Sequence, residues 1–369
     1  VNSLHKPIDP SATTLPQVLQ QHGYYTAHLG KWHLSGGAAP SHFVAPCFRR
    51  GWDTWIGWEN SNRPFETEYS EGPYPIPRKR LPGYQTDALT DIAIEQITRL
   101  KGEMPWFMVV SIEPPHDPHV APEPYMKAYE NRELAFRNNV PDEWKTEENI
   151  AKAKGYYAQI KNLDDNVGRI LRCLEETGQD DDTIVMYFSD HGEFMGSHNR
   201  VQKFFAETES SRIPLIIKHP NSTAAGFVCD DLVSSMDVPT TTLGLLGLTA
   251  PESMKGVDLS STVLSGQRAD PRDILISLDG WFDDGDPEYC YRALQTSRYL
   301  FVRAKIESNC RLYDMETDPY QMRNLYFRDE FAATRSELET GLRELLDRIG
   351  DPFYQSAGLH YSASREAAP

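Results

Sequence analysis

Residues 183–193 read Thr-Ile-Val-Met-Tyr-Phe-Ser-Asp-His-Gly-Glu, a mostly apolar run that stops at an acid, an imidazole and a glycine. Its first seven residues are rich in β-branched and aromatic types, which predicts a buried strand in the middle of a sheet covered on both faces. In open α/β sheets, ligands bind outside the carboxyl ends of the strands. Asp190 and His191 fall at that end, and a carboxylate beside an imidazole suits a divalent cation. A turn-capping Asp followed by a hydrogen-bonded His would give the same pattern.

The length and composition limit the kind of protein. A chain of 369 residues can form a large α/β domain and a smaller one. No apolar run reaches the roughly 18 residues of a membrane span. The net charge of −17 argues against a nucleic-acid partner, so an anionic substrate would need local cations or a metal. The five cysteines lack C-x-x-C spacing, which argues against a zinc or redox motif. We expect Cys290 and Cys310 to lie on neighbouring strands and form a bridge.

Two other predicted strands end in basic or imidazole side chains. Tyr24–Leu29 is followed by Lys31 and His33, which point the same way if the chain stays extended and could then bind an oxyanion. Trp106–Ile112 is followed by Glu-Pro-Pro-His116, where the prolines stiffen the loop and make the histidine a candidate acid or base. An exposed lysine and hydrogen-bonded loop histidines are the alternative interpretation.

The order of the predicted elements indicates two parts. An apolar stripe from Tyr157 to Leu174 predicts a helix that runs into the 183–189 strand, and such alternation favours a parallel sheet. After the polar stretch 265–273, three strand-like runs precede a closing helix. We therefore predict a catalytic α/β domain at residues 1–268 and a small α+β subdomain, an antiparallel sheet plus a helix, at residues 269–369.

Four motifs, in order along the chain, resemble those of the type I sulfatases of the alkaline phosphatase superfamily. They are Gly23–His33, the metal motif Ser189–Glu193, Lys203 with the segment Glu209–Ile217, and the C-terminal element Arg311–Leu325. The resemblance implies an alkaline phosphatase-like sandwich, with a mainly parallel sheet between helices and a small C-terminal subdomain. It also implies hydrolysis of sulfate monoesters on a carbohydrate or other small organic molecule.

The resemblance also assigns charged groups to the site. Lys31 and Lys203 would stabilise the charge on the sulfate oxygens in the transition state. Asp190 and His191 would be half of the protein ligands of a hard divalent cation, with Ca²⁺ expected and Mg²⁺ or Mn²⁺ as alternatives.

Three histidines receive roles from the same resemblance. His116 would protonate the leaving alkoxide as a general acid. His33 would contact the formylglycine nucleophile and help to expel sulfate from the covalent intermediate. His198 would line the substrate pocket, although a solvated loop histidine fits its position equally well.

The N-terminal region departs from the family pattern. In the family, a strand with paired aspartates and a Cys-or-Ser-x-Pro-x-Arg motif, whose first residue becomes formylglycine, precede the Gly-Lys-x-His motif. Here residues 1–29 hold one aspartate, Asp9, and no Cys or Ser in the chain is followed by x-Pro-x-Arg. We therefore expect that the segment bearing formylglycine is absent from this chain and that residues 1–369 alone are inactive.

Two alternative functions remain open at this level. One is a phosphonate or phosphate ester hydrolase of the same superfamily, and the other is a silent fragment that binds anions without turnover. The coding DNA upstream of Val1 distinguishes the three functions. An in-frame Cys-x-Pro-x-Arg would support the sulfatase, a Thr or Ser without that context would support the phosphatase-like relative, and a true start at Val1 would support the silent fragment. The aromatic-rich residues 57–84 predict a long irregular loop at the rim of the site. Family members that act on sulfated glycans are usually exported, which implies a periplasmic or extracellular location.

Overall fold

The structure, a computed structural model, describes residues 7–36, 41–72, 78–280 and 287–355. The helices are α1 (Leu15–Gln21), α2 (Gln85–Leu100), α3 (Glu123–Glu130), α4 (Glu147–Thr177), α5 (Thr208–Ser211), α6 (Asp237–Leu245), α7 (Ser260–Ser265) and α8 (Ala332–Ile349). The strands are β1 (Tyr25–Lys31), β2 (Thr54–Trp58), β3 (Glu68–Glu71), β4 (Arg78–Arg80), β5 (Trp106–Ser111), β6 (Val185–Phe188), β7 (Leu215–Lys218), β8 (Ile274–Asp279), β9 (Cys290–Gln295), β10 (Tyr299–Ala304) and β11 (Arg311–Asp314). None of the described helices is long and apolar enough to cross a membrane.

A five-stranded sheet with the order β4-β3-β2-β1-β5 carries the N-terminal part of the site. β1 runs parallel to β2 on one side and to β5 on the other. β1 and β5 approach closely at Gly30, where a Cβ would collide with the carbonyl oxygen of Ser111. Residues 57–84 were expected to be irregular, but they contain β3 and β4, which extend the sheet by antiparallel pairing.

Two long helices of the N-terminal part, α2 and α4, pack on each other. Asp87 of α2 links them, because its Oδ1 accepts hydrogen bonds from Asn162 Nδ2 at 2.9 Å and Asn166 Nδ2 at 2.7 Å. α4 begins after Thr146, whose side chain accepts from a backbone N–H, and it ends before Gly178, which lies in the left-handed region. The helix predicted over residues 157–174 is confirmed as part of α4.

The strand predicted over residues 183–189 is β6, but it is shorter and less buried than expected. Among the described strands β6 pairs with β7 alone, in antiparallel fashion, and Phe188 is 46% exposed. β5 likewise has β1 as its one described neighbour. A cavity of about 3250 Å³ is lined by both β5 and β6. Among the described strands, β6 pairs on one side only and borders this cavity on the other, so the predicted central position is wrong for this part of the chain.

The C-terminal part is an antiparallel sheet with the order β11-β10-β9-β8, and it packs against α8. Its core includes Leu294, Phe301, Leu312, Leu342 and Leu346, each at most 2% exposed. The predicted α+β subdomain is therefore confirmed, whereas its boundary at residue 269 stays a prediction.

The predicted bridge between Cys290 and Cys310 is wrong. Both side chains are buried free thiols. Cys290 begins β9 and Cys310 precedes β11, and these two strands lie on opposite sides of β10.

Candidate functional site

Lys31 and Glu113 meet at the carboxyl ends of two neighbouring parallel strands. Lys31 is the last residue of β1, and Glu113 lies two residues beyond the end of β5. Lys31 Nζ is 3.3 Å from Glu113 Oε1. Because β1 and β5 are parallel, their carboxyl ends share one edge of the sheet, which is where α/β sheets bind ligands.

Glu113 fixes the direction of Lys31. Its carboxylate accepts hydrogen bonds from Trp58 Nε1 at 3.3 Å, the Ser61 backbone N–H at 3.1 Å and Gln85 Nε2 at 3.2 Å. Burial alone would raise the pKa of Glu113, but Lys31 and the hydrogen bonds from Ser61 and Gln85 lower it. The carboxylate is therefore charged, and it holds the ammonium group of Lys31 at the carboxyl ends of β1 and β5. Sequence reasoning gave Glu113 no role, although a charged residue directly after an apolar strand was a signal.

His116 and Lys203 lie within electrostatic reach of Lys31. Burial lowers the pKa of His116, and the charges of Lys31 and Lys203 lower it further. Burial also lowers the pKa of Lys203, and Lys31 adds to that shift. His116 Nδ1 is 2.7 Å from the carbonyl oxygen of Asp117, which leaves Nε2 as the nitrogen free to face a substrate. The structure thus brings together three residues that lie far apart in sequence.

His33 also lies near Lys31, but not in the extended geometry that the sequence predicted. β1 ends at Lys31, and His33 has a φ of 53°, so the chain has already turned and the extended geometry does not apply. Its backbone N–H donates to the carbonyl oxygen of Glu59 at 3.0 Å. Burial, followed by the charge of Lys31, lowers the pKa of His33.

Asp190 and His191 follow β6, as the sequence predicted. The Asp190 side chain is 82% exposed, and its Oδ2 is 3.5 Å from His191 Nε2. Gly192 allows this turn to pack closely, because a Cβ there would collide with the carbonyl oxygen of Glu209. The charge of Asp190 acts on Lys203, which places the turn beside the cations.

These two residues do not complete a metal site. Within the described ranges, no group of three or more His, Cys, Asp or Glu side chains could hold a metal ion. Ca²⁺ takes about 6–8 oxygen ligands. The exposed Asp190 carboxylate and the neighbouring imidazole suit part of such a sphere, and they supply too few ligands to support a catalytic step through the metal.

His198 lies beside Asn139 and Glu209. Its Nε2 is 3.1 Å from Asn139 Nδ2 and 3.9 Å from Glu209 Oε2, and its side chain is 16% exposed. Among the described residues, Lys31, His116 and Lys203 line the large cavity, whereas His198 does not. Its role in substrate binding stays a prediction.

Two family models match the chain. The model described as Sulfatase matches residues 1–248, and the model described as N-sulphoglucosamine sulphohydrolase, C-terminal, matches residues 196–348. The matches overlap, and together they include every residue of the candidate site.

Named relatives cover most of the chain. An ulvan-active sulfatase of Formosa agariphila is 31% identical over 362 residues, which is 96% of this chain and 69% of the relative. An N-acetylglucosamine-6-O-sulfatase of Bacteroides thetaiotaomicron is 24% identical over 92% of this chain and 73% of its own length. A crystal structure from Bacteroides fragilis, assigned as the sulfatase yidJ, superposes with a TM-score of 0.86 at 27% identity and covers 95% of this chain and 80% of that one.

Proposed function

The chain belongs to the sulfatase family, and we propose that it hydrolyses sulfate monoesters carried by carbohydrates. The observation that supports this most is the meeting of Lys31, Lys203 and His116 at one cavity. Two cations suit the charged oxygens of an anionic ester, and an imidazole suits protonation of its leaving group. An anionic ester is therefore the substrate class that this geometry suits, and the family match favours a sulfate ester.

The names of the relatives support a sulfated sugar as substrate. One relative is named for ulvan and another for the 6-sulfate of N-acetylglucosamine. The C-terminal family model is named for N-sulphoglucosamine. These names favour a carbohydrate sulfate over the phosphonate or phosphate ester alternative.

Lys31 and Lys203 would stabilise the transition state. During attack on sulfur, negative charge lies on the oxygens that point away from the reacting bond, and fixed cations beside those oxygens lower the barrier. Glu113 keeps Lys31 in place through the 3.3 Å ion pair. Burial lowers the pKa of Lys203, so its charge is costly to keep and is best compensated when an anion binds.

His116 would act as the general acid toward the leaving alkoxide. Its Nδ1 is engaged by the carbonyl oxygen of Asp117, so Nε2 carries the proton to be transferred. Since burial and the neighbouring lysines lower the pKa of His116, its acid form is lost as the pH rises through that lowered value. An anionic substrate would raise the pKa again and restore the proton.

Asp190 and His191 would contribute to a divalent metal site, and we propose Ca²⁺ as the ion. Members of the family typically use a divalent metal and formylglycine. When bound, the metal neutralises charge on the sulfate group. His33 would contact the formylglycine nucleophile. We also propose a periplasmic or extracellular location, because the chain belongs to this family.

A substrate panel tests the proposed function. The active enzyme is this chain extended upstream to include the expected formylglycine segment. It is incubated with N-acetylglucosamine 6-sulfate, choline sulfate, a chromogenic aryl sulfate and a chromogenic phosphonate monoester, and product release is measured. We expect the largest kcat/KM for a carbohydrate sulfate and its loss in His116→Ala. A larger kcat/KM for the phosphonate ester would overturn the proposal.

A further inference from the structure

Arg137 presents unused hydrogen-bond donors to the cavity that holds the candidate site. It lies in the loop between α3 and α4, its side chain is 49% exposed, and it lines the same cavity as Lys203. Its one described ion pair uses Nε, and no described residue pairs with its two terminal nitrogens. A guanidinium group has five N–H donors, so most of them remain available to a ligand.

Two neighbours fix the plane of the guanidinium group. Arg137 Nε is 2.8 Å from Glu209 Oε1, and the guanidinium carbon is 5.2 Å from the centroid of the Tyr320 ring. The Glu209 side chain is only 3% exposed, and a buried carboxylate without a partner is strongly destabilising. Glu209 therefore holds Arg137 from one edge while the Tyr320 ring lies against the guanidinium group.

Three segments that are distant in sequence build this arrangement. Asn139 Nδ2 donates to Glu209 Oε1 at 2.8 Å and to the carbonyl oxygen of Tyr320 at 3.1 Å. Gln321 is 1% exposed, and its Oε1 accepts from the backbone N–H of Thr208 at 2.9 Å. The loop that carries Tyr320 is thus attached to α5, which carries Glu209. Arg137 is consequently held by two partners, Glu209 and Tyr320, that are themselves anchored by hydrogen bonds, unlike a free surface arginine.

The segment that carries Glu209 also contacts the predicted metal motif. The backbone N–H of Gly192 donates to the carbonyl oxygen of Ser210 at 2.8 Å, and Gly192 also packs against the carbonyl oxygen of Glu209. Gly192 directly follows Asp190 and His191. The residue that anchors Arg137 is therefore in backbone contact with the turn that faces the sulfate site.

We propose that Arg137, with Tyr320 beside it, binds a second anionic group of the substrate, next to the sulfate that is removed. The proposal rests on the proposed function and narrows its substrates to glycans with a neighbouring carboxylate or second sulfate. Planar guanidinium groups bind such groups through two parallel hydrogen bonds. The local donors matter because the chain as a whole carries a net charge of −17.

Selectivity between one-anion and two-anion ligands tests the proposal. For the wild-type enzyme, Arg137→Ala and Arg137→Lys, kcat/KM is measured on an aryl sulfate, glucosamine N,6-disulfate and a sulfated disaccharide that carries a uronic acid. We expect Arg137→Ala to lower the preference for two-anion substrates over the aryl sulfate by about 10- to 100-fold, the effect of one charged hydrogen-bonding group. Arg137→Lys should restore part of it, and the two-anion substrate with the larger loss identifies the second group.

Arg132→Ala is the matched control, because Arg132 is exposed in the same loop and contacts Tyr129. It should leave the preference unchanged. An unchanged preference in Arg137→Ala, or equal loss on the aryl sulfate, would overturn the inference while sulfate release by the wild type keeps the proposed function. If the chain extended upstream with the formylglycine segment releases no sulfate, the proposed function fails, and calorimetry with the same ligands still decides the subsite, since equal affinity in Arg137→Ala overturns it.

Discussion

At the scale of single residues, the site is a set of charges that adjust one another. Lys31 is paired with buried Glu113 at 3.3 Å, and the charges of Lys31, Lys203 and Glu113 all act on His116. The lysines lower the pKa of His116 and Glu113 raises it, although burial is the largest cause of the net lowering. The protonation of His116 therefore depends on its burial and on the charges of these neighbours.

The titration of His116 should respond in opposite directions to changes in these neighbours. Removing a nearby positive charge favours the imidazolium, so Lys203→Ala should raise the pKa of His116. Removing a nearby negative charge disfavours it, so Glu113→Gln should lower the pKa of His116. NMR titration of the imidazole protons measures both shifts, with His116→Gln used to assign the resonance.

Lys127→Ala is the control for this experiment, because Lys127 is exposed on α3. It should leave the His116 titration unchanged. Shifts of the same sign in Lys203→Ala and Glu113→Gln would show that the electrostatic grouping is incorrect.

The residues that line the site were predictable where a motif carries them and were missed where a tertiary contact creates them, whereas their roles stay predictions. Lys31, Lys203 and His116 were identified from motifs and strand ends, and the structure brings them together. The importance of Arg137 depends on Glu209, which is distant in sequence and becomes its partner only through folding. No local pattern indicates such a pair.

At the scale of elements, two edges of the five-stranded sheet differ in their protection. β4 forms one edge and consists of Arg78–Arg80, all exposed, and such charges discourage pairing with other chains. β5 forms the other edge and reads Trp-Phe-Met-Val-Val-Ser. It is only half-buried along its length, and it faces the large cavity. Among the described strands, β5 is thus the edge of this sheet without such charges.

We expect residues 1–369 to associate through the β5 edge. Val109→Lys places a charge in the middle of this strand and should reduce light scattering on concentration or mild heating. Thr98→Lys adds the same charge at an exposed position on α2 and is the control. Equal suppression by both variants would attribute association to net charge and would contradict the role of the edge.

Elements with a strong local pattern were predicted, whereas those set by distant partners were not. β1, β5, α4 and three of the four C-terminal strands, β8 to β10, were expected from apolar runs and periodicity, whereas β11 was not. β3 and β4 were missed because their Gly- and Pro-rich surroundings and charged side chains indicate a loop, and only pairing with β2 makes them strands. The position of β6 depends on which strands lie beside it, and its sequence does not contain that information.

At the scale of the whole molecule, two parts of the fold line one cavity. The N-terminal sheet supplies Lys31 and His116, and the segment after β6 supplies Asp190 and Lys203. The C-terminal part contributes Tyr320, which the Gln321–Thr208 hydrogen bonds hold in place. The net charge of −17 repels anions at long range, so binding of a sulfate ester depends on the local cations Lys31 and Lys203.

The kinetic effect of removing these cations is the most direct test of sulfate-ester hydrolysis at this site. In the active enzyme, we predict that Lys31→Ala and Lys203→Ala each lower kcat/KM on a chromogenic aryl sulfate by ~10²-fold or more, the loss typical of one transition-state stabiliser. Lys127→Ala should retain wild-type kcat/KM, and thermal unfolding should show that all three variants are folded. Wild-type turnover by a folded Lys31→Ala or Lys203→Ala variant would contradict the assignment of this cavity as the catalytic site.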